Sequence, residues 1–326
     1  MGDETLLVVF SGFSSVLLSC LIILAIVVFK KDICAIHTTW FFCNKSGSGS
    51  GGGGGLPSGT KMFVPYLQLM KDSQKDLGKY DWVILAFAVG YENNKIQWSS
   101  GSSFPPSLLK KQKNFILSFG GESAGKPGTK IFGELAGRYT SVNSLAAAYE
   151  AAAKSVGATW LDFDIEEDGQ KDIVISKRRN EALALLQKRN PSIKIMYTVP
   201  IELVGFDQVV KDMLTHAKNV GVKISVVNLM SMYITQRRQD MSEAVWKTVE
   251  AGRSFIKNLG ASIGITPLLG KNHDNEYSHE NFTLKDADEI VAKAKADPDV
   301  SFLSYWETGL DKKGDYMSRF KKFQSA

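Results

Sequence analysis

One segment sets three carboxyls into an otherwise apolar run: Trp160-Leu-Asp-Phe-Asp-Ile-Glu166. Side chains alternate along an extended strand. Asp162, Asp164 and Glu166 therefore share one face, and Leu161, Phe163 and Ile165 share the other. Carboxyls at alternate positions stand roughly 6–7 Å apart. In a confined interior three such groups cannot all ionise cheaply, so proton sharing raises the pKa of at least one. This is equipment for general acid–base chemistry. Glu166, at the end of the run, is the candidate acid, and Asp164 is its charge-sharing neighbour.

The elements that must hold this strand are legible around it. Short β-branched or aromatic runs at 62–67, 82–88, 115–120, 160–166, 194–200, 226–233, 262–267 and 302–306 predict strands. Helix-like stretches fall between them at 141–155, 177–189, 206–219, 242–259 and 284–296. Ser141 before an Ala-rich run, and Thr283 before a segment with Asp286 in its first turn, are helix start signals. Strands alternating with helices predict parallel pairing with right-handed crossovers. Eight such units suit a (β/α)8 TIM barrel, whose usual size is about 250 residues. A doubly wound open sheet is disfavoured, because no GxGxxG or P-loop sequence follows any strand. In a closed barrel the chemistry sits at the C-terminal ends of the strands, which is where Glu166 falls.

Composition narrows the function classes. The 326 residues are 44% hydrophobic and 22% charged, which excludes a disordered tail or a fibre. The net charge of +5 is too small for the basic stripe of a nucleic-acid binder, and no nucleic-acid partner is expected. Cys20, Cys34 and Cys43 all precede residue 44, so neither a disulfide framework nor a thiol nucleophile is available further on. His37, His216, His273 and His279 are too scattered for a zinc site. No metal and no organic cofactor is expected.

Residues 5–29 contain no ionisable charged group, and about 20 apolar residues suffice to cross a bilayer. The expected organisation is an N-terminal membrane anchor over 1–31 with a transmembrane helix at about 5–29. A Cys-containing, Gly/Ser-rich flexible linker over 32–60 and the barrel over 61–326 follow. The expected location is that of a single-pass membrane protein with a lipid-bilayer partner. Lys30 and Lys31 favour a cytosolic barrel, though two lysines leave the side open.

The acidic strand resembles the DxxDxDxE signature of glycoside hydrolase family 18, the chitinases and related endo-β-N-acetylglucosaminidases. The resemblance extends in order over the later strands: LSFGG at 117–121 is similar to the family's SxGG, and YTVP at 197–200 to its fifth strand. VVNLMSMY at 226–233 is similar to the sixth strand, VNxMxMDY, and GITPLLG at 264–270 and FLSYW at 302–306 to the seventh and eighth. It implies a substrate-assisted retaining hydrolysis of β-1,4-linked N-acetylglucosamine polymers or oligosaccharides. Glu166 would protonate the glycosidic oxygen, Asp164 would orient the substrate's acetamido group, and Asp162 would share a proton with Asp164. Trp306 would floor a sugar subsite, and Tyr233, Met230, Ser118 and Gly120 would contribute to substrate binding. Cleavage of the chitobiose core of N-glycans shares the same acid motif, and a non-catalytic sugar-binding or structural barrel is the other alternative.

The sequence departs from the signature in two places. Thr159 and Trp160 stand where the motif has its first Asp and its usual Gly. On the sixth strand the family places Asp-Tyr after the second Met, whereas this chain reads Met232-Tyr233-Ile234. Either both residues are replaced, or one is deleted and Tyr233 is the family tyrosine that helps hold the acetamido group.

Overall fold

A computed structural model describes residues 55–324 except 58, 70–75, 92–94, 102, 104–111, 123–134 and 167. Its first strand is broken in two: β1 (Met62–Phe63) and β2 (Tyr66–Gln68), with Val64 and Pro65 between them. Pro65 has no N–H to give a ladder. The strands that follow are β3 (Val83–Tyr91), β5 (Phe115–Gly120), β6 (Trp160–Asp164), β7 (Lys194–Pro200), β8 (Ile224–Met230), β9 (Ser262–Thr266) and β12 (Val300–Leu303). They pair in parallel in the order β12-β9-β8-β7-β6-β5-β3. One half of the first strand pairs with the last strand (Met62 opposite Phe302), and the other half pairs with β3 (Tyr66 opposite Ile84). The parallel sheet thus closes on itself as a barrel. A hairpin strand β4 (Lys95–Trp98) lies antiparallel on β3, and β10 (Gly270–Lys271) pairs with β11 (Asn281–Phe282) outside the barrel.

Helices α1 (Val142–Val156), α3 (Ile173–Arg189), α4 (Gln208–Asn219), α5 (Met241–Leu259) and α6 (Leu284–Ala296) return the chain from β5 onward, with a short α2 (Asp168–Lys171) before α3. Among the described residues the first two returns carry no α-helix. Thr283 and Asp286 form the capping box at the start of α6, whereas Ser141 precedes α1 without a side-chain capping bond.

Alternation on β6 divides two cores. Leu161 and Phe163 belong to the layer between sheet and helices, and Trp160 belongs to the barrel interior with Ile116, Met196, Val226 and Phe302. Trp160 fills the position of the signature's glycine by plugging the N-terminal end of the barrel. It packs on Phe302 at 6.0 Å and Trp82 at 6.3 Å, and Lys194 Nζ lies 4.9 Å from its ring centre.

Three strand ends that bear on the site differ from the sequence reading. β6 stops at Asp164, so Glu166 sits just beyond it, and β12 stops at Leu303, before Trp306. β8 ends at Met230 because the next amide, Ser231 N–H, turns back onto Leu229 O and Thr266 O. The chain already touches the barrel at Gly55 and Leu56, whose amides donate to Gly260 O and Ser262 Oγ.

The expected single-pass membrane placement is corrected. Among the described residues no helix is long and apolar enough to cross a membrane. The 5–29 segment read as an anchor, like the cysteines at 20, 34 and 43, lies outside those residues.

Candidate active site

β5, β6 and β7 run in register, setting Ser118 opposite Asp162 and Gly120 and Thr198 on either side of Asp164. Asp162 is wholly buried. Its Oδ2 accepts from Ser118 Oγ at 2.6 Å and from the Tyr66 hydroxyl at 2.9 Å, and its Oδ1 accepts from Thr198 Oγ1 at 2.8 Å. The network continues sideways: Asn228 Nδ2 donates to Thr198 Oγ1 at 3.0 Å, and Thr266 Oγ1 donates to Asn228 Oδ1 at 2.9 Å. One polar layer therefore joins β2 and β5 through β9 beneath the strand ends.

Burial raises the Asp162 carboxyl to about 6, against the opposing pull of the Ser118, Thr198 and Tyr66 hydroxyls. Burial also lifts Asp164 well above the ordinary carboxylate range, helped by the charges of Glu166 and Asp162 and by a hydrogen bond with Glu166. The neutral form of Asp164 is the one that donates to Glu166. Its Oδ1 is buried and has no hydrogen-bond partner among the described residues. A buried acceptor left in that state is costly unless a ligand donor meets it.

Asp162 makes stability depend on pH with a definite sign. Because its folded pKa lies above its unfolded value, its stabilising contribution is complete below about pH 4 and is lost as pH rises through about 6. That span corresponds to roughly 3 kcal/mol for a group this deeply buried. Denaturant unfolding at pH 4 and pH 7 should show the chain losing stability relative to Asp162→Asn as pH rises. A difference between the two that does not change with pH would contradict this account.

Two glycines let β5 approach so closely. A Cβ on Gly120 (φ +108°) would lie 2.0 Å from Asp164 O, and one on Gly121 (φ +81°) would lie 2.5 Å from the Phe87 ring. Gly121 N–H instead donates to Asp164 O at 2.9 Å. Phe87, thus admitted, stacks on Trp306 with ring centres 5.5 Å apart and planes 15° apart.

Asp164, Glu166, Met230, Tyr233 and Trp306 line one pocket at the C-terminal end of the barrel, together with Tyr66, Phe87, Thr198 and Glu122. The cleft continues past Glu166 and Tyr233 into a second limb bearing Glu202, Asp207, Asp274 and Tyr277.

No family model matches the chain. A curated relative, a probable bifunctional chitinase/lysozyme of Escherichia coli K12, is 23% identical over 283 residues, covering 78% of this chain. The chain spans only 31% of that relative's length. Among solved structures, active domain 2 of a Pyrococcus furiosus chitinase matches with a TM-score of 0.67 at 21% identity, over 82% of this chain and 96% of that one. A GH18 chitinase from Pseudoalteromonas aurantia matches at 0.59 and 14% identity, over 80% and 99%. The fold is that of the family 18 chitinases.

Within this chitinase-type glycosidase fold, the residues singled out from sequence separate into two tiers. Asp164, Glu166, Met230, Tyr233 and Trp306 face the pocket, whereas Asp162 and Ser118 sit wholly buried beneath it. Gly120 contributes its bare backbone against Asp164 rather than a contact surface. Tyr66, Phe87 and Thr198 were not foreseen, because on an interior strand a Tyr, Phe or Thr reads as packing. Glu280, buried behind the Tyr233 turn, was not foreseen either.

Proposed function

We propose that the chain is a glycosidase that cleaves β-1,4-linked N-acetylglucosamine polymers or oligosaccharides by substrate-assisted retention. The observation that carries the reading is Asp164. It is buried and hydrogen-bonded to Glu166, its Oδ1 has no hydrogen-bond partner among the described residues, and the residue lines a pocket with Trp306 in its wall. That oxygen suits an acetamido N–H. With a sugar stacked on Trp306, Glu166 gives its proton to the glycosidic oxygen as the acetamido carbonyl oxygen bonds to the anomeric carbon. The aglycon leaves and an oxazolinium ion forms, its positive charge facing Asp164. Water then attacks the anomeric carbon, Glu166 takes the proton, and the acetamido group is released with retained configuration. Asp162, tied into the layer below, tunes Asp164, and Tyr233 closes the acetamido side. The barrel over 61–326 is the catalytic unit in this reading.

The test is a pair of β-1,4-linked tetramers, one of N-acetylglucosamine and one of glucose, given to the full chain. Hydrolysis confined to the acetamido substrate, with the β anomer appearing first by NMR, is the expected result. Comparable turnover of the glucose tetramer would rule out substrate assistance. Binding of the acetamido tetramer without turnover would leave a sugar-binding barrel instead.

A further inference from the structure

The turn after β8 departs from the signature, and the structure holds it with a carboxylate from elsewhere in the chain. Glu280, 3% exposed, lies just before β11. Its Oε2 accepts from Tyr233 N–H at 3.0 Å, and its Oε1 accepts from Ile234 N–H at 2.8 Å and Thr235 N–H at 2.9 Å. The Thr235 hydroxyl donates to Oε1 at 3.1 Å and Asn272 Nδ2 donates to Oε2 at 3.2 Å. Three consecutive amides aimed at one carboxylate form a nest of the kind that binds anions, here filled by a side chain of the same protein. His279 adds a contact to Thr235 Oγ1 at 3.0 Å.

What the nest holds is Tyr233. Its φ of 56° makes it the one non-glycine residue with positive φ among the described residues. An aromatic residue keeps this left-handed conformation only when its surroundings over-determine it. The conformation sends the ring, 46% exposed, into the pocket wall beside Glu166, where Tyr277 meets it edge-on at 5.3 Å. Glu280 itself does not line the pocket.

We infer that Glu280 is a positioning residue: it holds the 233–235 turn and thereby fixes the Tyr233 ring against the substrate's acetamido side. The inference rests on the glycosidase reading for its catalytic consequence and on the hydrogen bonds alone for the clamp.

Glu280→Gln tests both parts. The clamp predicts that exchange of the 233–235 amides quickens about tenfold or more relative to amides elsewhere in the barrel. Positioning predicts that kcat on the N-acetylglucosamine tetramer falls about tenfold while KM changes less than about threefold. It also predicts that Glu280→Gln added to Tyr233→Phe lowers kcat by less than about twofold more, because both act through one ring. Thr235→Val, which removes the hydroxyl's contacts to Glu280 and His279 but keeps the carboxylate and the three amides, should lower kcat in the same direction by less. This milder variant serves if Glu280→Gln fails to fold. Unchanged exchange overturns the clamp, and a loss that accumulates in full in the double variant overturns positioning. If the unmodified chain hydrolyses nothing, the glycosidase reading falls, and exchange together with tetramer affinity in the same variants decides the clamp and its action through Tyr233.

Discussion

Glu166→Gln should lower kcat on an N-acetylglucosamine tetramer by about 10³-fold, within the 10²–10⁴-fold range of positioned acid–base groups. The side chain sits two residues beyond β6, half-buried, at the junction of the pocket and its acidic limb. In the proposed mechanism Glu166 has both tasks, donating to the leaving oxygen and recovering a proton from water. Gln keeps the size and the hydrogen bond to Asp164 but carries no transferable proton. Substrate binding should survive, so affinity for the tetramer should stay within about threefold of the unmodified chain. Steady-state hydrolysis and calorimetric binding on the two proteins check both halves. Hydrolysis that persists at more than about a tenth of the original rate would assign the acid elsewhere.

The barrel was legible in the sequence wherever one strand's own pattern carried the information. The alternation of Leu161 and Phe163 with Asp162 and Asp164 depends only on the pleat, and the structure sends the two sets to different cores. The ranges 115–120, 194–200 and 284–296 agree to the residue with β5, β7 and α6.

What was not legible depends on partners distant in sequence. Thr198 reaches Asp162 because β7 pairs with β6, and Tyr66 joins them only because barrel closure brings β2 across to both. The turn after β8 is held by Glu280, some 46 residues away from Ile234, and nothing local in Met232-Tyr233-Ile234 announces a left-handed turn. The single-pass placement finds no support among the described residues, where no helix is long and apolar enough to cross a membrane, and residues 5–29 lie outside them.

Asp164→Asn should lower kcat by about 10²-fold or more with little change in KM, because the residue acts on charge that develops after binding. In the resting site Asp164 is the protonated partner, held so by burial and by the negative neighbours Glu166 and Asp162, and it donates to Glu166. The proposed mechanism needs the reverse arrangement, with the proton on Glu166 and the charge on Asp164 facing the oxazolinium. In that reading the hydrogen bond between them is the route for the exchange, and a substrate whose acetamido N–H meets Asp164 supplies the bias. Asn still accepts that N–H, so binding persists, but it can neither pass a proton nor carry charge. The pH profile should change with the rate. The pair's shared proton sets the basic limb of kcat/KM, and like charge holds that macroscopic pKa up. Without the second carboxylate the basic limb should move to lower pH. Rates across pH 4 to 9 for both proteins measure this. A basic limb that stays in place, or a variant whose loss appears only in KM, would show that Asp164 serves in binding alone.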